Sequence, residues 1–119
     1  MLPKANRLKK KKDFERVFKK GQGFKEDFLY LKIIKNNLKS SRFGFIVSKK
    51  FSKKAVNRNK IKRRLRGLIR IKLNKIKKGI DGVITIMPGL EVTDIWQLEE
   101  IVNKLLKKAE LYEELRAKN

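Results

Sequence analysis

The fold is decided by residues 56–76, which read VNRNKIKRRLRGLIRIKLNKI. The segment contains no proline, and apolar residues recur along it at about 100° per residue, the angular step of an α-helix. This apolar stripe consists of Ile61, Leu65, Leu68, Ile69 and Ile76. The pattern predicts a long amphipathic helix that packs its apolar side on a core and leaves its polar side in solvent.

The segments around this helix predict two further helices and three strands. In chain order these are a helix at 11–20 ended by Gly21 and Gly23, a long strand at 24–34, a strand at 42–48, a strand at 83–87 closed by Pro88 and Gly89, and a last helix. Apolar residues recur at helical spacing in the helices and alternate with a period of two in the long strand. We expect the strands at 24–34 and 42–48 to pair as antiparallel neighbours.

The last helix begins near Thr93 or Asp94, either of which can cap it, and Gln97 suits a capping box with Asp94. Its expected buried face consists of Ile95, Leu98, Ile101, Val102, Leu105, Leu106 and Ala109. The polar residues 113–119 are expected to fray. The whole chain, residues 1–119, is thus expected to be a single α+β domain, a two-layer sandwich of one sheet under helices.

Charge is distributed very unevenly along the chain. The 119 residues carry a formal net charge of +22, and residues 49–80 hold 15 basic side chains and no acidic one. Residues 81–119 hold 5 basic and 8 acidic side chains. Because basic side chains gathered in one region gain affinity for phosphate polymers by releasing counterions, the sequence predicts a nucleic acid partner.

The composition excludes several classes of protein. Without cysteine or histidine the chain has no thiolate metal site, no disulfide and no histidine general base. No apolar run approaches the roughly 18 residues of a membrane span, and the basic N-terminal arm at residues 1–10 does not resemble a secretory signal. We therefore expect a cytoplasmic protein with no catalytic residue of its own and no bound metal.

The long helix carries the first candidate site. Asn59, Arg63, Arg66 and Arg70 fall on one line opposite the apolar stripe, and Arg58 and Lys62 flank that line. Guanidinium groups suit bidentate phosphate contacts, and an asparagine amide can bond a phosphate, a 2′-hydroxyl or a base edge. The alternative is a merely solvated basic face on a core helix.

Aromatic residues supply the second candidate site. Phe28 and Tyr30 share a strand face with Lys32, and Phe14 and Phe18 lie one helical turn apart. Unpaired bases stack on such rings. The alternative for each ring is packing in the core, and this alternative is favoured for Phe28. Tyr30 is the better candidate for base stacking, because its hydroxyl suits a solvent-exposed edge.

These features resemble the bacterial ribonuclease P protein family over most of residues 6–70. The matching motifs are Asn6-Arg7-Leu8-Lys9, Asp13-Phe14 with Val17-Phe18-Lys19 and Gly21, Arg42-Phe43-Gly44 leading into Val47-Ser48-Lys49-Lys50, and the segment from Ala55 to Arg66. The resemblance implies a ribosomal-S5-domain-2-like fold of order αβββαβα, with an extra strand near Phe24. It also implies a left-handed βαβ crossover, against the usual right-handed rule.

The resemblance further implies an RNA-binding subunit of an endoribonuclease whose catalysis resides in a partner RNA. The resemblance implies that the RNA-binding helix residues are Arg58, Asn59, Lys60, Lys62, Arg63 and Arg66, to which the helix spacing adds Arg70. It implies that the cleft residues for the 5′ leader of precursor tRNA are Phe14, Phe18 and Tyr30. Magnesium acting with the RNA is the implied cofactor, and no membrane or obligate protein partner is expected.

Three other functions compete with this reading. A basic ribosomal or RNA-chaperone-type protein without a role in cleavage is the main alternative. A DNA-binding function is weaker because no helix with a tight turn precedes the arginine-rich helix. A protein-only nuclease is weaker still, because the acidic residues lie mostly near the two ends, with a single adjacent pair, Glu26-Asp27.

Overall fold

The computed structural model describes residues 2–48, 50–88 and 95–112. Its main elements, in chain order, are α1 (Lys11–Lys20), β1 (Gln22–Glu26), β2 (Leu29–Lys35), β3 (Arg42–Val47), α2 (Ala55–Lys72), β4 (Ile80–Ile86) and α3 (Ile95–Lys108). Short 3₁₀ turns lie at Lys4–Asn6 and Leu73–Lys75. This is the αβββαβα order that the resemblance implies, and the α+β fold class is confirmed.

The four strands form one sheet in the order β1-β2-β4-β3. β1 pairs with β2 and β2 with β4 in antiparallel fashion, whereas β3 and β4 are parallel. The predicted antiparallel pairing of the strands at 24–34 and 42–48 is therefore wrong. A parallel pair needs a long crossover, here α2, and this crossover returns the apolar β4 to a central position between β2 and β3. The left-handed sense of the crossover stays a prediction.

The predicted long strand at 24–34 is a hairpin of β1 and β2. Asp27 has a φ of 55°, the left-handed conformation that a short polar side chain tolerates. This turn folds the chain back so that Lys25 faces Tyr30. Phe28 is 4% exposed and its ring stacks on that of Phe51. Phe28 is therefore a core residue, the role that the sequence favoured for it.

The core lies between the sheet and the two long helices. Strand residues such as Leu31, Phe43 and Ile84 meet the stripe of α2, in which Ile61, Leu65, Leu68 and Ile69 are all buried. The predicted α3 face is confirmed where the structure describes side chains, and the buried residues there are Leu98, Ile101, Val102, Leu105, Leu106 and Ala109. The side chain of Ile95, the predicted caps Thr93 and Asp94, and residues 113–119 lie outside the described part.

The predicted boundaries of α2 and the expected N-terminal arm differ in detail from the structure. α2 ends at Lys72, and Ile76 is buried after a 3₁₀ turn. The first residues lie along the outer edge of β3, where Leu8 N–H donates to the Phe43 carbonyl at 3.0 Å and Leu2 is fully buried. Among the described helices none has the length and apolar character to cross a bilayer.

Candidate nucleic acid interface

The sheet face opposite the main core carries α1, and the strand register arranges its residues in three rows. The anchor row is Ile34, Asp81 and Arg42; the middle row is Lys32, Val83 and Gly44; the floor row is Lys25, Tyr30, Thr85 and Ile46. Val83 under the helix is 1% exposed, whereas Tyr30, Thr85 and Ile46 are half-buried and Lys25 is exposed. The floor row is therefore the open part of this face.

Helix α1 lies over the middle row and presents different chemistry on its two flanks. Val17 is fully buried at the centre of the contact. At 100° per residue, Phe14 and Phe18 fall on one side of Val17, and Asp13 and Arg16 fall on the other. The aromatic flank adjoins the floor row, and the charged flank adjoins the anchor row. We call the space bounded by Phe14, Phe18 and the floor row the cleft.

Contacts with α1 and β1 hold the walls of the cleft in place. The Phe14 ring covers Gly44 so closely that a Cβ atom there would overlap it. Lys32 Nζ donates to the Phe18 carbonyl at 2.6 Å. The Tyr30 side chain lies across Gly23, whose missing Cβ leaves room for its hydroxyl. The two glycines thus leave the space that these rings occupy against the sheet.

The three aromatic residues predicted for the leader site all border the cleft. Phe14 and Tyr30 are half-buried, and Phe18 is 39% exposed. Exposed ring faces beside lysine ammonium groups suit stacked bases and their phosphates. The floor residues Thr85 and Ile46 were not predicted, although the alternation within their strands could have placed them on the same face as Tyr30.

The predicted RNA-binding residues of α2 lie on its outer surface. Asn59, Lys60, Arg63 and Arg70 are exposed, and Lys62 is half-buried. Arg58 is held at the start of the helix, where its Nη1 donates to the Ser52 carbonyl at 2.7 Å. Free guanidinium groups one to two turns apart can contact successive phosphates of an RNA backbone.

Arg66 differs from the rest of this line. Its guanidinium carbon is 6.0 Å from the centre of the Phe45 ring, a cation–π distance, and the side chain is half-buried. It borders a cavity of about 380 Å³ that Arg7, Lys9 and Phe14 also line. The cavity therefore joins the α2 surface to the aromatic side of α1. Arg7 and Lys9 belong to a motif that carries the family resemblance, but neither was predicted to be a binding residue.

A buried carboxylate ties α1 to the anchor row. Asp81 is fully buried and accepts two hydrogen bonds from Arg42, at 2.7 and 2.9 Å, one from Arg16 Nη2 at 2.6 Å and one from Asn36 Nδ2 at 2.9 Å. Arg42 also approaches Asp13 Oδ2 at 3.6 Å. Burial raises the pKa of the Asp81 carboxyl, but the hydrogen bonds from Arg42 and Asn36 and the nearby positive charges outweigh it, so the pKa is lowered.

Comparison with known proteins gives a consistent result. A family model described as Ribonuclease P matches residues 2–110. The ribonuclease P protein component of Pseudanabaena sp. is 38% identical over 112 residues, covering 93% of this chain and 97% of that protein. The RNase P protein from Thermotoga maritima superposes with a TM-score of 0.78 at 34% identity, covering 87% of this chain and 96% of that one. A Staphylococcus aureus RNase P protein mutant with defective mRNA degradation activity gives a TM-score of 0.85 at 30% identity, covering 92% of both chains.

The fold and its two surfaces define a small, strongly basic α+β protein with an aromatic cleft and a separate arginine-rich helix. Within that class the chain belongs to the ribonuclease P protein family, because the family model covers nearly all of it. The relatives named above have nearly the same length as this chain, so the match is not confined to one motif.

Proposed function

We propose that this chain is the RNA-binding protein subunit of ribonuclease P, which binds the catalytic RNA through α2 and the 5′ leader of precursor tRNA through the cleft. The observation that carries the proposal is the presence of two chemically different surfaces on one small domain. One presents exposed cations along a helix, and the other presents aromatic rings above an open strand face.

The α2 surface is suited to folded RNA. Arg63 and Arg70 lie two helical turns apart on the exposed side of α2. Each guanidinium group can donate hydrogen bonds to two oxygens of one phosphate. Asn59 at the start of the same line adds an amide that can bond a 2′-hydroxyl, the group that distinguishes RNA from DNA. Such contacts position a partner without reading its sequence, as a subunit bound to one structured RNA requires.

The cleft is suited to an unpaired strand. Bases can stack on the rings of Phe14, Phe18 and Tyr30, and Lys25 at the exposed end of the floor row can neutralise a phosphate. A duplex has its bases already stacked and would not use these rings. The cleft thus favours the single-stranded leader over the folded body of the substrate.

In this proposal the hydrolysis itself takes place on the partner RNA. Across the described ranges no three His, Cys, Asp or Glu side chains group closely enough to hold a metal ion. The buried carboxylate of Asp81 is already paired with Arg16 and Arg42. Magnesium held with the RNA would supply positive charge at the scissile phosphodiester, and the protein would position the leader so that cleavage leaves the mature 5′ end.

The experiment that tests the cleft is a comparison of two ligands. Replacing Tyr30 with alanine should weaken binding of leader-bearing precursor tRNA to the reconstituted complex by about 1–3 kcal/mol, the value of one stacked base. Mature tRNA should bind as before. Both dissociation constants are measured at a temperature well below the melting point of the variant.

Tyr30→Phe is the matched control, because it keeps the ring over Gly23 and removes the hydroxyl alone. It should retain most of the preference for the leader. Equal weakening of both ligands by Tyr30→Ala would mean that the ring is structural and would favour a basic ribosomal or chaperone-type protein instead.

A further inference from the structure

Two side chains on the charged flank of α1, Asp13 and Arg16, make directional contacts with the anchor row. Arg16 Nη2 lies 2.6 Å from Asp81 Oδ2, and Arg16 Nη1 also donates to the Lys35 carbonyl at 3.4 Å. One turn earlier, Asp13 Oδ2 lies 3.6 Å from Arg42, which itself binds Asp81. Two successive turns of one flank are thus tied to the same buried carboxylate.

The opposite flank of the same two turns carries the rings of the cleft. Phe14 and Phe18 lie on one side of Val17, and Arg16 lies on the other side. Any rotation of α1 about its axis therefore moves the two rings relative to Tyr30. An apolar contact such as that of Val17 resists separation more than rotation, because it is non-directional. The directional bonds of Arg16 fix the angle of roll on this flank, in addition to the bond that Lys32 donates to the Phe18 carbonyl.

We propose that Arg16 is a positioning residue for leader binding, which uses the carboxylate of Asp81 to set the rotation of α1 and hence the spacing between Phe14, Phe18 and Tyr30. This inference deepens the proposed function and rests on it. It adds a residue outside both candidate surfaces, on the flank of α1 that faces away from the cleft.

The geometry separates this role from a general contribution to stability. Asp81 already accepts two bonds from Arg42 and one from Asn36, so its charge stays compensated when Arg16 is removed. The Arg16 side chain is 35% exposed, against 23% for Arg42, so its bond to Asp81 is the more solvent-screened of the two and should contribute less to folding. Loss of Arg16 leaves this flank of α1 tied only through the longer contact of 3.6 Å between Asp13 and Arg42, so the roll of α1 should loosen while the domain stays folded.

The test compares variants of Arg16 in the complex reconstituted with a bacterial ribonuclease P RNA. Arg16→Gln removes the bond and one positive charge, whereas Arg16→Lys keeps the charge and can still reach Asp81. Lys12→Gln, at an exposed position one turn earlier, removes one charge from the same helix and is the matched control. The readout is the ratio of dissociation constants for mature and leader-bearing tRNA, measured after melting curves have verified folding.

Arg16→Gln should lower that ratio by at least about 5-fold, the lower end of the effect of one stacked base. Arg16→Lys should restore most of it, and Lys12→Gln should affect the two ligands equally. A ratio unchanged in Arg16→Gln, or lowered as much by Lys12→Gln, would overturn the inference.

Tyr30→Ala in the same series distinguishes the two possible failures. If Tyr30→Ala lowers the ratio and Arg16→Gln does not, the inference alone is wrong and the cleft remains. If Tyr30→Ala leaves the ratio unchanged, the proposed leader site fails, and the positioning role of Arg16 fails with it.

Discussion

Raising the salt concentration from about 50 to about 200 mM should weaken binding of this protein to the catalytic RNA roughly 250- to 1,000-fold. The estimate takes about five phosphates neutralised by α2 and a log–log slope of about −4 to −5, borrowing the coefficient for duplex DNA. The exposed cations of α2 supply these contacts, with Arg63 and Arg70 projecting fully from the helix. Binding is measured by titration of labelled RNA at several salt concentrations.

Replacing Arg63 and Arg70 together with alanine should flatten this slope by about two units, since each neutralised phosphate accounts for roughly one. Arg66 is a poorer choice because it also packs over Phe45. Replacing Lys104 and Lys107, which are exposed on α3, removes the same charge elsewhere and should leave the slope nearly unchanged. If the variant that lacks both arginines keeps the steep slope, the α2 surface does not contact the RNA and is only a solvated basic face.

Replacing Asp81 with alanine should lower the free energy of unfolding by about 3–5 kcal/mol, because the change removes the fully buried carboxylate that pairs with the half-buried guanidinium of Arg42. The loss is a large part of the stability of a domain this small. It is measured by urea denaturation, with Glu15→Ala on the exposed face of α1 as the control. A loss below about 1 kcal/mol, the range of a surface ion pair, would contradict the description of the network as a buried anchor.

The dependence of the free energy of unfolding on pH is a second test of the role of the Asp81 carboxylate. Its pKa is lower in the folded state than the ordinary value of 3.8. The Asp81 contribution is therefore fully present above that value and is lost as the pH falls toward and through the folded pKa. Asp81→Asn cannot titrate, so its stability should fall less steeply in acid than that of the original protein.

Local patterns in the sequence predicted the helices well but not the pairing of the strands. The stripe of Ile61, Leu65 and Leu68 repeats within one element, so its helix and its buried face follow from spacing alone. The place of β4 between β2 and β3 depends on the crossover of α2, which no spacing within a strand reveals. The turn at Asp27 was missed because Phe28 continues the apolar run, although its ring belongs to the core.

The candidate site, like the fold, could be predicted from the sequence only in part. Periodicity places the rings of Phe14, Phe18 and Tyr30 on defined faces of single elements, but only the family resemblance assigned the three to one cleft. The ties among Arg16, Arg42 and Asp81 join residues up to 65 positions apart, and each looks in sequence like an ordinary surface charge. The Arg66 contact with Phe45 was missed for the same reason, since helix periodicity placed that guanidinium in solvent.

Reconstitution of cleavage tests most directly whether this protein acts as a subunit of an RNA-based ribonuclease P. Purified protein freed of RNA, a bacterial ribonuclease P RNA, and the two combined are each incubated with precursor tRNA in magnesium at low RNA concentration. We expect no cleavage by the protein alone, and cleavage at the mature 5′ end that the protein strongly stimulates when the RNA is present. Cleavage by the RNA-free protein, or an RNA activity that the protein does not change, would contradict this expectation.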